Sequence, residues 1–180
     1  MRFRATSLLC LVLFLLFGVE GPSQEFRPAE YQVKAAFLFN FAKFVEWPRS
    51  AFASQDSPLV IGILGDNPFH DDLEQMIHDK KVDEHPLEIR LLPSPVQATN
   101  CHILFISTAE KQELPEALKT VKGSAVLTVG ETERFTEAGG MINFILEGTK
   151  IRFQINNEAA SRAGLKISSK LMSLASHSGA

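Results

Sequence analysis

His70, Asp71, Asp72, Glu74 and His78 crowd one short polar stretch. On a helix, His70 and Glu74 stand one turn apart and His78 a turn further on. That spacing would let them share a metal ion. The order is not H-E-x-x-H, and a solvated polar face accounts for the same residues. Cys101 and His102 are the next pair with chemical potential. As neighbours on a strand they point to opposite faces, so they cannot act together as nucleophile and base. No G-x-S-x-G elbow marks a serine nucleophile among the plentiful serines and acids. The stretch Gly62-Ile63-Leu64-Gly65-Asp66-Asn67-Pro68 has the look of a strand running into a helix. It lacks the third glycine of G-x-G-x-x-G and the lysine of a phosphate-binding loop. Neither a catalytic set, a cofactor site nor a metal site is assigned.

The elements around these residues follow from hydrophobic spacing. Glu30 to Val45 is expected to be a helix with Tyr31, Lys34, Ala35, Leu38, Phe41, Ala42 and Val45 on one stripe. Phe37, Phe39 and Phe44 fall outside it. A helix apolar nearly all round is buried on several sides or pairs with a second protein. Trp47-Pro48 ends it, since a residue before proline avoids helical angles. Leu59–Leu64, Leu87–Leu92, His102–Ile106 and Ala125–Val129 then read as apolar strands. Between them lie a helix capped by Asn67 with Pro68 in its first turn, and a helix over Lys111–Val121. A shorter helix is expected around Thr132 to Glu137. This alternation predicts an α/β fold in three layers, a largely parallel sheet with helices on both faces. A ligand crevice would then open near Gly65 and Gly130, at the carboxyl ends of the strands.

The alternation stops near Met141. Met141–Leu146 and Lys150–Ile155, joined by Glu147-Gly148-Thr149, predict a carboxy-terminal antiparallel hairpin at the sheet edge. Asn156 or Asn157 caps a helix over Glu158 to Ala163, Gly164 ends it, and a last helix starts at Ser168 or Ser169.

At the amino terminus, Arg2 and Arg4 precede an uncharged run from Ser7 to Val19, followed by Glu20, Gly21, Pro22 and Ser23. This is the pattern of a secretory signal peptide. The run is about 13 residues, short of the ~20 that a helix needs to span a bilayer. Cleavage is expected near Ser23/Gln24, leaving 24–180 as one domain that works outside the cytoplasm with no membrane span. Arg2, Arg4 and Glu20 leave with the signal, making the remainder one unit more acidic than the chain's formal −3. With no basic excess, nucleic acid is not an expected partner. Cys10 leaves as well, so Cys101 is the one thiol of the mature chain and is expected inside a strand. No internal disulfide can form, and the core must carry stability.

Two segments at opposite ends resemble the YfiR family. The first is Glu30-Tyr31-Gln32-Val33-Lys34-Ala35-Ala36-Phe37-Leu38-Phe39-Asn40-Phe41-Ala42-Lys43-Phe44-Val45-Glu46-Trp47-Pro48. The second is Gly140-Met141-Ile142-Asn143-Phe144, Ile151-Arg152-Phe153-Gln154-Ile155-Asn156, Ala159-Ala160 and Ala163-Gly164-Leu165-Lys166-Ile167-Ser168-Ser169-Lys170-Leu171. Between them, Ile61 to Phe69 and Val126 to Glu131 also match. The resemblance implies a bacterial periplasmic protein that is not an enzyme. It implies a regulator that binds the periplasmic sensory domain of a membrane-bound diguanylate cyclase, lowering cyclic-di-GMP and biofilm formation. Paired cysteines that make some such proteins redox-sensitive are missing here. The sequence leaves a homodimer open, and likewise a small-molecule sensor using the crevice near Gly65 and Gly130. The partner surface is expected on the closing segment, from Arg152 and Gln154 on the edge strand and Glu158 and Arg162 on the next helix. The outer side of the first helix, at Phe39 and Lys43, is the alternative.

Overall fold

The computed structural model describes residues 26–176. The expected amino-terminal signal peptide, residues 1–23, therefore lies outside the described residues. The chain opens with α1 (Phe26–Phe44), whose inward residues are those of the expected stripe. Lys34, Ala35, Leu38, Phe41 and Ala42 are all buried. The helix starts earlier than expected and gives way at Val45 to β1 (Val45–Glu46). This strand pairs antiparallel with β9 (Lys166–Ile167), Val45 opposite Ile167. The pairing takes up the backbone groups that another helical turn would have used, and Ser168 N–H closes it by donating to Phe44 O at 2.9 Å.

The main sheet has seven strands in the order β3-β4-β2-β5-β6-β7-β8. Its centre is β2 (Leu59–Leu64), β4 (His85–Leu92), β5 (Ile103–Ile106) and β6 (Leu127–Gly130), all parallel. β3 (Lys81–Val82) adds an antiparallel edge beside β4. At the other edge, β7 (Ile142–Glu147) and β8 (Lys150–Ile155) form the expected antiparallel hairpin, Phe144 opposite Phe153.

Alternation along the strands divides the core in two. Leu59, Ile61, Ile63, Ile103, Phe105, Leu127 and Val129 face one side. There they meet α1, α2 (Asp72–Ile77), α4 (Asn157–Arg162) and α5 (Ser169–Leu174). Val60, Leu64, Leu104 and Ile106 face the other side. α3 (Leu114–Thr120) and a 3-10 turn over Pro95–Asn100 cover them. The three layers expected from the sequence are present. Asn156 caps α4 through Ala159 N–H and Ser168 caps α5 through Leu171 N–H, as expected. Gly164 supplies the left-handed turn after α4, with φ of 76°.

Two expected helices differ. Asn67 does not cap a helix. Its Oδ1 accepts from Phe69 N–H at 2.9 Å and its Nδ2 donates to His70 O at 3.1 Å, a local turn that competes with helix formation. His70 then takes a left-handed φ of 49°, and α2 starts only at Asp72. The detour buries Phe69 against Phe105 and Tyr31. Around residues 132–137 there are turns and no α-helix. Arg134 is left-handed there, with φ of 61°, and the loop wraps buried Phe135. The ring of Phe135 fills the space where side chains at Gly130 and Gly140 would stand.

The Phe-rich helix is buried on several sides. Phe41 packs against Phe144 at 5.7 Å and Phe153 at 5.2 Å, and Phe37 packs against both rings as well. On the outer side, lysine ammoniums cover the rings. Lys80 lies 4.7 Å from the Phe39 centre, and Lys170 lies 4.9 Å from that of Phe44. Leu38→Ala and Phe41→Ala should therefore each cost roughly 2–5 kcal/mol in chemical denaturation, the usual range for large-to-small core changes. An unchanged midpoint in both variants would contradict the packing of α1 described above.

Candidate functional site

The chain leaves β2 for β4 on one side and returns to β5 on the other. The loops after β2 and β5 therefore diverge, and a cleft opens at the carboxyl ends of the strands. It encloses about 860 Å³. Asp66 and Asn67 after β2, Ser107 and Thr108 after β5, and Glu131 after β6 line it, with Glu30, Tyr31 and Lys34 of α1 opposite. Phe144, Ile145, Leu146 and Ile151 of the hairpin form an apolar wall. This is the crevice expected near Gly65 and Gly130. Gly65 has φ of 73°, and the Glu110 carboxyl packs where a side chain at Gly65 would stand.

The polar centre of the cleft is Glu131. Its Oε2 accepts from Lys34 Nζ at 2.5 Å. Its Oε1 accepts from the Tyr31 hydroxyl and from Thr108 N–H, both at 3.0 Å. Thr108 Oγ1 donates to the Glu131 carbonyl at 3.3 Å. Glu30 pairs with Lys34 from one turn away on α1. The Lys34 ammonium also lies 4.7 Å from the centre of the Tyr31 ring. Lys34 is only 4% exposed, so its charge depends on these partners. Glu30, Asp66, Asp72 and Glu131 line the cleft against the one lysine, Lys34, so its lining is acidic.

Sequence reasoning placed Lys34 on the buried stripe but did not find its partner. A lysine on an apolar stripe was itself the signal, because a buried ammonium requires a carboxylate. Glu131 lies far away in sequence, and only the parallel sheet brings it beneath α1.

The other singled-out residues are scattered. His70 precedes α2 in a left-handed turn and so does not share a helical face with Glu74 and His78. Among the described residues no group of three His, Cys, Asp or Glu side chains is placed to hold a metal. Cys101 points into the second core beside Gly62, and its thiol donates to Ala98 O at 3.2 Å. His102 points away from it, into contact with Phe52.

The residues expected at the partner surface form two pairs. Arg152 is exposed, lies 3.8 Å from Glu147, and borders a groove of about 370 Å³ beside Val33 and Phe37 of α1. Gln154 is half-buried two residues on. Glu158 and Arg162 pair with each other on the exposed side of α4, while Ala159, Ala160 and Ala163 turn inward. No hydrogen bond or ion pair joins Arg152 or Gln154 to Glu158 or Arg162 among the described residues. Phe39 and Lys43 pack on each other at 5.5 Å. No described helix is long and apolar enough to cross a membrane.

A family profile described as YfiR/HmsC-like matches residues 31–176, and the chain belongs to that family. The match spans α1, the cleft and the closing segment alike. It supports a regulatory role in periplasmic cyclic-di-GMP signalling, and the family is regulatory and not catalytic.

Glu131→Ala would leave the Lys34 ammonium buried beside Glu30 alone, and should cost about 3 kcal/mol, as for a broken buried pair. Replacing both ends, Lys34→Met with Glu131→Leu, should recover much of that loss in urea denaturation. A single variant as stable as one at exposed Glu133 would show that the pair is not desolvated.

Burial pushes the Cys101 thiol up to about 12, against smaller opposing effects of the Gly62 backbone and Arg90. The nucleophilic thiolate is thus scarce between pH 7 and 9. Thiol reagents should label the native protein slowly across that range, and labelling should become fast only in denaturant. Rapid native labelling would place Cys101 at the surface.

Proposed function

We propose that residues 1–23 direct export and that residues 24–180 act in the periplasm as one regulatory domain. Its partner in this reading is the periplasmic sensory domain of a membrane-bound diguanylate cyclase. Binding favours the cyclase's inactive conformation and shifts its population accordingly. The output is lower cyclic-di-GMP and less biofilm. The observation that carries the reading is the family match over residues 31–176. The reading takes its recognition surface from the closing segment. Glu158 and Arg162 project from α4, whose inner face is locked into the core, and Arg152 and Gln154 lie on the edge strand. Such a surface is rigidly presented and charged at its rim, where electrostatics governs encounter and specificity.

A second reading rests on the cleft. Its size and its position at the switch point suit a small ligand. Four carboxylates against one lysine in the lining favour an organic cation over an anion. Thermal shift with a panel of amines and of carboxylates tests this, and no stabilisation by any amine rejects it.

For the leading reading, the double variant Glu158→Arg with Arg162→Glu reverses the outward charge pattern while retaining an opposite-charge pair one turn apart. The protein should stay folded and abundant, fail to be captured with the cyclase from detergent-solubilised membranes, and raise cellular cyclic-di-GMP. Adding Arg152→Glu should deepen the effect. Full repression by the folded variants would move the contact away from the closing segment.

A further inference from the structure

Two cavities border α1, and they differ in character. The cleft at the carboxyl ends of the strands has an acidic lining. The smaller groove, of about 370 Å³, lies between α1 and the tip of the β7–β8 hairpin. Ala29, Val33 and Phe37 recur every fourth residue, so they stand in one row along α1 and form one wall of the groove. Ile151 of β8 lies on the other side. Glu30 and Ile151 line both cavities, so the cleft and the groove meet there. Leu146, which lines the cleft, stands opposite Ile151 across the hairpin. Apolar surface is left open at this junction, with Leu146 55% and Val33 43% exposed.

The charges at the junction do not balance. Glu30 and Glu131 share the single ammonium of Lys34, and the Tyr31 hydroxyl and Thr108 N–H that also reach Glu131 carry no charge. The trio of Glu30, Lys34 and Glu131 therefore holds one net negative charge. Both oxygens of Glu131 are engaged. Glu30 meets Lys34 through Oε1, and among the described residues its Oε2 has no hydrogen-bond or ion-pair partner. The open acceptor of the trio thus lies on the residue that borders both cavities.

We propose that this junction binds a cationic amphiphile, with its ammonium group on Glu30 Oε2 and its apolar chain in the groove, over Val33 and Ile151 toward Phe37. The inference rests on the cation reading of the cleft and adds an apolar chain to the ligand. An ammonium group at Glu30 balances the trio and donates to its open oxygen. The chain covers apolar side chains that α1 and the hairpin leave to water. It has about 10 Å to follow, the rise of α1 from Glu30 to Phe37. Lys150 and Arg152 border the same groove, and an anionic head would turn to them. Both are exposed, and Arg152 already faces Glu147 at 3.8 Å, so water screens their charge. The Glu30 side chain is only 22% exposed, and its field is screened less.

Butylamine, hexylamine, octylamine and decylamine are titrated into the purified protein at neutral pH, below their aggregation concentrations, and backbone amide shifts are followed. Octanol and octanesulfonate serve as length-matched neutral and anionic probes. The expected result is saturable binding of the amines that moves the amides of Glu30, Val33 and Ile151. Affinity should rise roughly twofold per methylene, about half the gain for full burial, and level off once the chain exceeds about 10 Å. Octylamine should bind more tightly than octanol, and octanol more tightly than octanesulfonate. Glu30→Gln should weaken octylamine roughly fivefold and leave octanol unchanged. Val33→Gln should flatten the dependence on chain length. Octanesulfonate binding as tightly as octylamine would overturn the assignment of the head, and unmoved amides at Val33 and Ile151 would overturn that of the chain. Amines that bind equally well whatever their length refute the amphiphile and leave the cation reading of the cleft standing, whereas no binding by any amine overturns both. Should either variant not fold, the chain-length series and the shift map of the natural protein decide.

Discussion

The rest of the molecule depends on α1 being pressed into the sheet, apolar side and buried lysine together. Phe37 and Phe41 insert among Phe144 and Phe153 of the edge hairpin, so the first helix and the closing segment form a single aromatic core. Burial of such rings is the dominant favourable contribution to a fold without disulfides. Lys34 sits in the same stripe and would oppose that burial if unpaired. Glu131 removes the conflict and thereby fixes where α1 lies along the sheet. A displacement of one turn would strand both charges. The hydrophobic contact supplies most of the stability, and the ion pair supplies register.

That arrangement gives the two ends of the parallel strands different characters. At the carboxyl ends, diverging loops and α1 leave an acidic cleft whose central carboxylate is held by Tyr31, Lys34 and Thr108. At the amino ends the segment from Trp47 to Pro58 packs Trp47 and Phe52 against the main core, and ring nitrogens of His85 and His102 bond Ser57 O and Ala51 O. The side of the sheet away from α1 is closed by α3 and by the Phe135 loop, where Gly130 and Gly140 admit the ring because they have no side chains. Cys101 belongs to this second core and is chemically quiet there.

The surface proposed for the partner includes α4, which is anchored by Ala159, Ala160 and Ala163 and capped by Asn156. The β1–β9 pair ties the end of α1 to the chain just after α4.

The sequence by itself determined the layers, the parallel strands, the edge hairpin, the caps at Asn156 and Ser168, the buried stripe of α1 and the family. Each of these is written in local periodicity, in turn chemistry or in a contiguous motif. It misjudged Asn67 and the stretch around Arg134, where a side-chain turn and a left-handed residue outweigh helix propensity. Of the candidate surface, Arg152, Glu158 and Arg162 were legible as exposed polar positions, but the half-burial of Gln154 and the division into two pairs were not. Glu131 beneath Lys34, and Phe52 between His85 and His102, were decided by the tertiary structure alone. Their partners come from separate strands and loops, and strand order in a sheet is set by which faces bury together, a quantity that no local pattern records.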